Sequence, residues 1–115
     1  MSNVERSATS FKYRADKFNS ALLTDLYQLN MIQAYLDHGK TDTAVFEFFV
    51  RKLPVQRKFL IVAGLEQALA FLEGLHFSAG EIEWLESTGR FSRRMLDYLA
   101  GLRFEGDVHA MPEGT

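Results

Sequence analysis

The stretch Leu22-Leu23-Thr24-Asp25-Leu26-Tyr27-Gln28-Leu29-Asn30-Met31 decides how the chain is read. It sets a hydroxyl, a carboxylate and a phenol within four residues, where a loop turns into an amphipathic helix. Thr24 or Asp25 can accept hydrogen bonds from the first free backbone N–H groups of that helix. Leu26, Leu29, Ile32 and Leu36 then return at helical spacing. The pattern predicts a helix over about 25–37, with Gly39 at its C-terminal cap. Asp25 and Tyr27 stand two residues apart, about 200° on a helix, yet at a helix mouth both can face one cleft. Read without further information, Asp25 caps and Tyr27 packs.

Downstream, 44–50 is rich in Val and Phe and bounded by polar residues, which predicts a strand. Its imperfect alternation predicts burial on both faces. Leu53-Pro54-Val55-Gln56 turns the chain, and 59–62 reads as a second short strand. Gly64 serves a tight junction before a helix over 65–73, whose buried face is expected at Leu65, Leu69 and Leu72. Ser78-Ala79-Gly80-Glu81 matches a capping box ahead of Ile82, Trp84 and Leu85. Ser92 caps a further helix carrying Met95, Leu96 and Leu99 and ending near Gly101. The segment 104–111 is expected to return as a strand, with His109 as a packing residue. Helices grouped between strands predict an α+β fold rather than a βαβ series. Residues 1–19 read as a flexible polar arm, and 20–115 as one domain.

Composition narrows the function. The 115 residues are 47% hydrophobic and 24% charged, which fits a globular domain with a real core. Thirteen basic and 15 acidic residues give a net charge of −2, so no electrostatic footprint for nucleic acid or an anionic membrane is present. Without cysteine there is no disulfide or thiolate chemistry, and His38, His76 and His109 are too scattered to predict a metal site. No apolar run is long enough to span a membrane, and no apolar signal core stands at the N-terminus, so a cytoplasmic location is expected. Ten phenylalanines predict a thick aromatic core or a surface buried against something else. Trp84 reads as core too.

The opening block resembles the N-terminal segment of nicotinate phosphoribosyltransferases. Four further blocks agree in the family's order: 44–54, 63–69, 71–73 and 104–115, the last reading Phe104-Glu105-Gly106-Asp107-Val108-His109-Ala110-Met111-Pro112-Glu113-Gly114-Thr115. The resemblance implies the N-terminal part of the helix and sheet domain of a type II phosphoribosyltransferase, incomplete without the barrel that follows. On that reading the chain is a fragment, and inactive alone.

The implied reaction joins nicotinate to 5-phosphoribosyl 1-pyrophosphate, giving nicotinate mononucleotide and pyrophosphate in NAD salvage. Such chemistry needs phosphates clamped, a flat base held in line and water kept out. By resemblance, Tyr27 is the ring that stacks on the base across a subunit boundary. Asp25 matches the family's aspartate and either orients the base or caps the helix. Arg51 matches an arginine that contacts phosphate, while Lys52 remains open and Arg57 and Lys58 read as a solvated turn. The sequence departs from the family at Pro54-Val55-Gln56-Arg57, where Pro-Phe-Gly-Gly is common, which puts the loop's shape in question. No catalytic residue is assigned to this segment. The full-length enzyme is expected to use Mg2+ and ATP, with none bound by this segment alone, and to be a homodimer with shared active sites. Two other readings stand beside it: a non-catalytic dimerisation or interaction module, and the related nicotinamide phosphoribosyltransferase.

Overall fold

A helix does start at the Thr24–Asp25 turn. In a computed structural model that describes residues 20–115, α1 spans Leu26–Asp37 and Asp25 is its N-cap, in extended backbone at φ −86° and ψ 148°. The helix stops where the sequence supplies Gly39. At φ 64° this residue sits in the left-handed region that other residues avoid. Its N–H donates to the Leu36 carbonyl at 3.2 Å and the Lys40 N–H to the Tyr35 carbonyl at 2.8 Å, the paired bonds of a Schellman end. Three more helices follow: α2 (Leu65–Glu73), α3 (Ala79–Ser87) and α4 (Arg93–Ala100). Ser78 and Ser92 cap the last two, accepting from the Glu81 and Met95 N–H groups, each at 3.2 Å. The arm expected over 1–19 lies outside the described residues.

The core forms where α4 meets α3 and α1. Met95 and Leu99 are 0% exposed, and Leu29, Phe77, Leu85 and Leu96 complete the buried cluster. Ile32, Leu36, Ile82 and Phe91 pack against it from the sides. Burying each large apolar side chain contributes about 1.5–3 kcal/mol, so this small cluster holds three helices together. Two polar links fix their register. The Ser92 N–H donates to Gln33 Oε1 of α1 at 2.8 Å, and Arg93 pairs with Glu86 of α3. α2 stands apart from this arrangement. None of its residues is fully buried, so Leu65, Leu69 and Leu72 are only partly covered, against expectation.

The predicted strands over 44–50, 59–62 and 104–111 do not form among the described residues, so the strand half of the α+β expectation is not met within this chain. The chain carries no regular secondary structure there, because strand propensity needs a neighbouring strand to bond to. No backbone hydrogen bond joins 44–50 to another described residue. One local link exists: the Val62 N–H donates to the Thr115 carbonyl at 2.9 Å, and the Gly114 N–H to the Val62 carbonyl at 2.8 Å. The expected burial on both faces of 44–50 also fails, since Phe46 is 92% and Phe48 100% exposed. Phe49, Phe59, Trp84 and His109 are exposed as well, so the aromatic core is confined to Phe77 and its partly buried neighbours. The radius of gyration, 17.3 Å, exceeds the roughly 13 Å of a compact chain of about 100 residues.

A carboxylate anchors the start of the described chain to α3. Glu81 Oε1 accepts from the Ser20 hydroxyl at 2.6 Å, and Glu81 Oε2 from the Ser78 N–H at 2.7 Å. The Ser20 hydroxyl foremost, helped by Ser78 and the nearby His76, holds the Glu81 carboxyl below its ordinary value of 4.5, while partial burial works the other way. A carboxyl whose folded value is depressed stabilises fully above its unfolded value and loses that contribution as pH falls through the folded one. Stability of the chain is therefore expected to decline on acidification below about pH 4.5, and Ser20→Ala to shrink that decline. Denaturant midpoints measured at several pH values on both proteins check this; superimposable acid profiles would contradict it.

Candidate functional site

The loop-to-helix junction at 24–28 is organised by a side chain that the sequence reading did not single out. Gln28, at the third helical position, turns its Oε1 back toward the loop. That oxygen accepts from the Thr24 hydroxyl and, at 3.2 Å, from the Asp25 N–H. Thr24 is thus tied to Gln28 and does not cap the helix. Asp25 takes the N-cap position in a capping box, its carboxylate facing the Gln28 N–H but short of full cap hydrogen-bond geometry. The spacing Asp25-x-x-Gln28 is itself the sequence signature of that box, so the signal was present.

Tyr27 sits on the first turn of α1 and is 59% exposed. The packing role that the bare pattern suggests is not what the structure shows, since the ring presents a large free surface. Arg51 closes the irregular segment that begins near Lys40, and it too is exposed. Among the described residues, Arg51 and Lys52 make no ion pair or hydrogen bond. The structure therefore brings Asp25 and Tyr27 to one helix mouth, and places Arg51 on a separate segment with no bond to that mouth. Pro54 and Arg57 close the turn after Arg51, with the Arg57 N–H donating to the Pro54 carbonyl at 2.8 Å.

Beneath the same junction runs an open groove of about 230 Å³, with Leu22, Thr24 and Leu26 on one side and Trp84, Arg90 and Phe91 on the other. Neither Asp25 nor Tyr27 lines it. Trp84, 58% exposed, forms a wall of this groove and not part of the core. A second long-range feature escaped local sequence patterns altogether. The Glu113 carboxylate accepts from the Gly64 N–H at 2.9 Å and the Leu65 N–H at 3.1 Å, supplying the cap that α2 lacks locally. Gly64 makes this possible at φ 97°, a conformation that favours glycine.

Among the described residues no group of three or more His, Cys, Asp or Glu side chains is placed to hold a metal ion. Among those residues, no helix is long and apolar enough to cross a membrane.

The family model described as the nicotinate phosphoribosyltransferase N-terminal domain matches residues 22–115. The chain is 48% identical over 95 residues to "Nicotinate phosphoribosyltransferase pncB2" of Mycobacterium tuberculosis, covering 83% of this chain and 20% of that protein. It is 37% identical over 95 residues to a Bacillus subtilis protein named nicotinate phosphoribosyltransferase, covering 82% and 19%. A Caenorhabditis elegans protein of the same name is 42% identical over 72 residues, covering 62% and 13%. The chain thus spans about a fifth of the length of the first two relatives. No solved structure matches it.

Proposed function

The chain belongs to the nicotinate phosphoribosyltransferase N-terminal domain family, and on that premise we propose that it is the N-terminal part of an enzyme of NAD salvage. The reaction joins nicotinate to 5-phosphoribosyl 1-pyrophosphate, giving nicotinate mononucleotide and pyrophosphate, with ATP hydrolysis assisting. The observation that carries this reading is the family match across 22–115, supported by relatives named for nicotinate. The enzyme works as a homodimer in the cytoplasm with shared active sites. The remainder of the polypeptide supplies the barrel and holds Mg2+ and ATP. The apolar segments over 44–50, 59–62 and 104–111 complete a sheet with that remainder, a reading supported by their exposed apolar side chains and by the lack of backbone hydrogen bonds from 44–50 and 104–111 to other described residues.

Within that enzyme, Tyr27 stacks on the pyridine ring, fixing its plane while leaving the reacting nitrogen open. Its exposed ring at the helix mouth supports the role. Asp25, whose carboxylate faces the Gln28 N–H without closing a full cap hydrogen bond and so has accepting capacity left, orients the base or its polar neighbours. Arg51 clamps phosphate oxygens of the sugar donor, and its fork suits bidentate contact as the pyrophosphate leaves. The lack of a protein partner for Arg51 among the described residues supports this assignment.

Steady-state kinetics on the complete protein test the reading, beginning with formation of nicotinate mononucleotide from the two substrates; turnover of nicotinamide alone would overturn it. Tyr27→Ala is expected to weaken nicotinate use by about 1–3 kcal/mol, by analogy with base–aromatic stacking. Tyr27→Phe costs much less if the ring face is what matters. Equal impairment of the two variants would place the role on the hydroxyl instead.

Arg51→Lys is expected to raise KM for the phosphoribosyl donor more than KM for nicotinate, because an ammonium replaces a bidentate fork poorly. Arg51→Ala should also lower kcat, at a cost of about 2–4 kcal/mol by analogy with one lost oxyanion donor. Melting temperatures measured on the same variants separate this from simple destabilisation. Unchanged donor kinetics in well-folded Arg51→Ala would remove the phosphate-clamp assignment.

A further inference from the structure

We propose that Gln28 is a positioning residue, which holds the helix mouth so that the Asp25 carboxylate and the Tyr27 ring stay available to ligand. The inference rests on the reading of Tyr27 and Asp25 given above and adds a residue to it. Its basis is the way hydrogen bonds are shared at the start of α1. An aspartate at the N-cap ordinarily spends its carboxylate on the free N–H groups of the first turn. Here the Asp25 carboxylate faces only the Gln28 N–H, in a capping box, and closes no full cap hydrogen bond. Gln28 instead accepts from the Thr24 hydroxyl and the Asp25 N–H with one amide oxygen. Two donors fill both lone-pair directions of that oxygen, so its orientation is fixed by the loop it holds.

The consequence is geometric. Thr24 and Asp25 cannot swing without breaking a bond to Gln28, and Tyr27 lies between the tethered loop and the residue that tethers it. The angle at which the chain enters α1 is therefore set, and with it the direction of the exposed ring. A neutral amide performs this restraint, so the carboxylate keeps its charge and the accepting capacity that the Gln28 N–H leaves unused. Small losses of alignment at a reacting base are costly, because the rate depends on a narrow range of bound geometries. Gln28 is not a catalytic residue on this account, and it acts only through its neighbours.

Kinetics on the complete transferase test the assignment. Gln28→Met keeps the chain length and removes the acceptor. Nicotinate KM is expected to rise roughly five- to tenfold, the equivalent of one lost cap bond. The donor KM stays within about twofold of its original value, since Arg51 is not tethered by Gln28. In a Tyr27→Ala background, Gln28→Met should add little, because its effect passes through the ring. Thr24→Val, which removes only the hydroxyl donor, should give the same pattern at smaller amplitude and serves if Gln28→Met does not fold. A purely structural role would raise both KM values together or lower only the melting temperature, and either result overturns the proposal. So does an unchanged nicotinate KM in folded Gln28→Met or Thr24→Val while Tyr27→Ala is impaired. If Tyr27→Ala itself leaves nicotinate KM unchanged, the stacking reading fails and the Gln28 role falls with it.

Discussion

A backbone N–H or C=O removed from water must find a partner, and this chain meets that demand in two different ways. Its helices satisfy the backbone internally, so a few apolar side chains can be buried without further support. Met95 and Leu99 are fully enclosed between α4, α3 and α1 on that basis. The extended segments have no such internal solution. Without a neighbouring strand among the described residues, 44–50 leaves its polar backbone to water and carries its phenylalanines outward with it. The structure is thus a small helical core with open apolar arms, and Arg51 stands at the end of one of them.

The same division explains which features were legible in the sequence. Helix starts and stops depend on residues within a turn of each other, so Asp25, Ser78, Ser92 and Gly39 could be read directly. The core positions Leu29, Leu85, Met95, Leu96 and Leu99 followed from helical spacing, which records the buried face of each helix. The strand prediction failed for a physical reason. The Val and Phe over 44–50 report a preference for extended backbone, but a ladder also needs a partner whose position is not encoded locally. Trp84 was misplaced because size and hydrophobicity say nothing about which way a helix turns its flank. The Glu113 cap on α2 joins residues 49 apart at Gly64, and no local pattern announces it.

The candidate site was legible only in part, and through resemblance. Bare pattern reading assigned Asp25 and Tyr27 to capping and packing. The structure puts Asp25 at the cap position yet leaves its carboxylate without a full cap bond, and it leaves the Tyr27 ring largely exposed. Gln28 was visible as the last member of an Asp-x-x-Gln box, but its sharing of one oxygen between Thr24 and Asp25 appears only in three dimensions. Arg51 stays apart from the helix mouth within this chain. In the proposed enzyme, convergence of the two would come from surfaces that the remainder of the protein and its second copy provide.

Helices α1, α3 and α4 form a core on their own, while the apolar segments between and after the helices stay open. Amide hydrogen exchange on this 115-residue chain tests this arrangement most directly. Protection is expected to concentrate in α3, α4 and the core-facing turns of α1, with rapid exchange across 41–61 and 103–111. Slow exchange across 44–50 and 104–111, at the level of the helical core, would reveal a ladder between these segments and contradict the account.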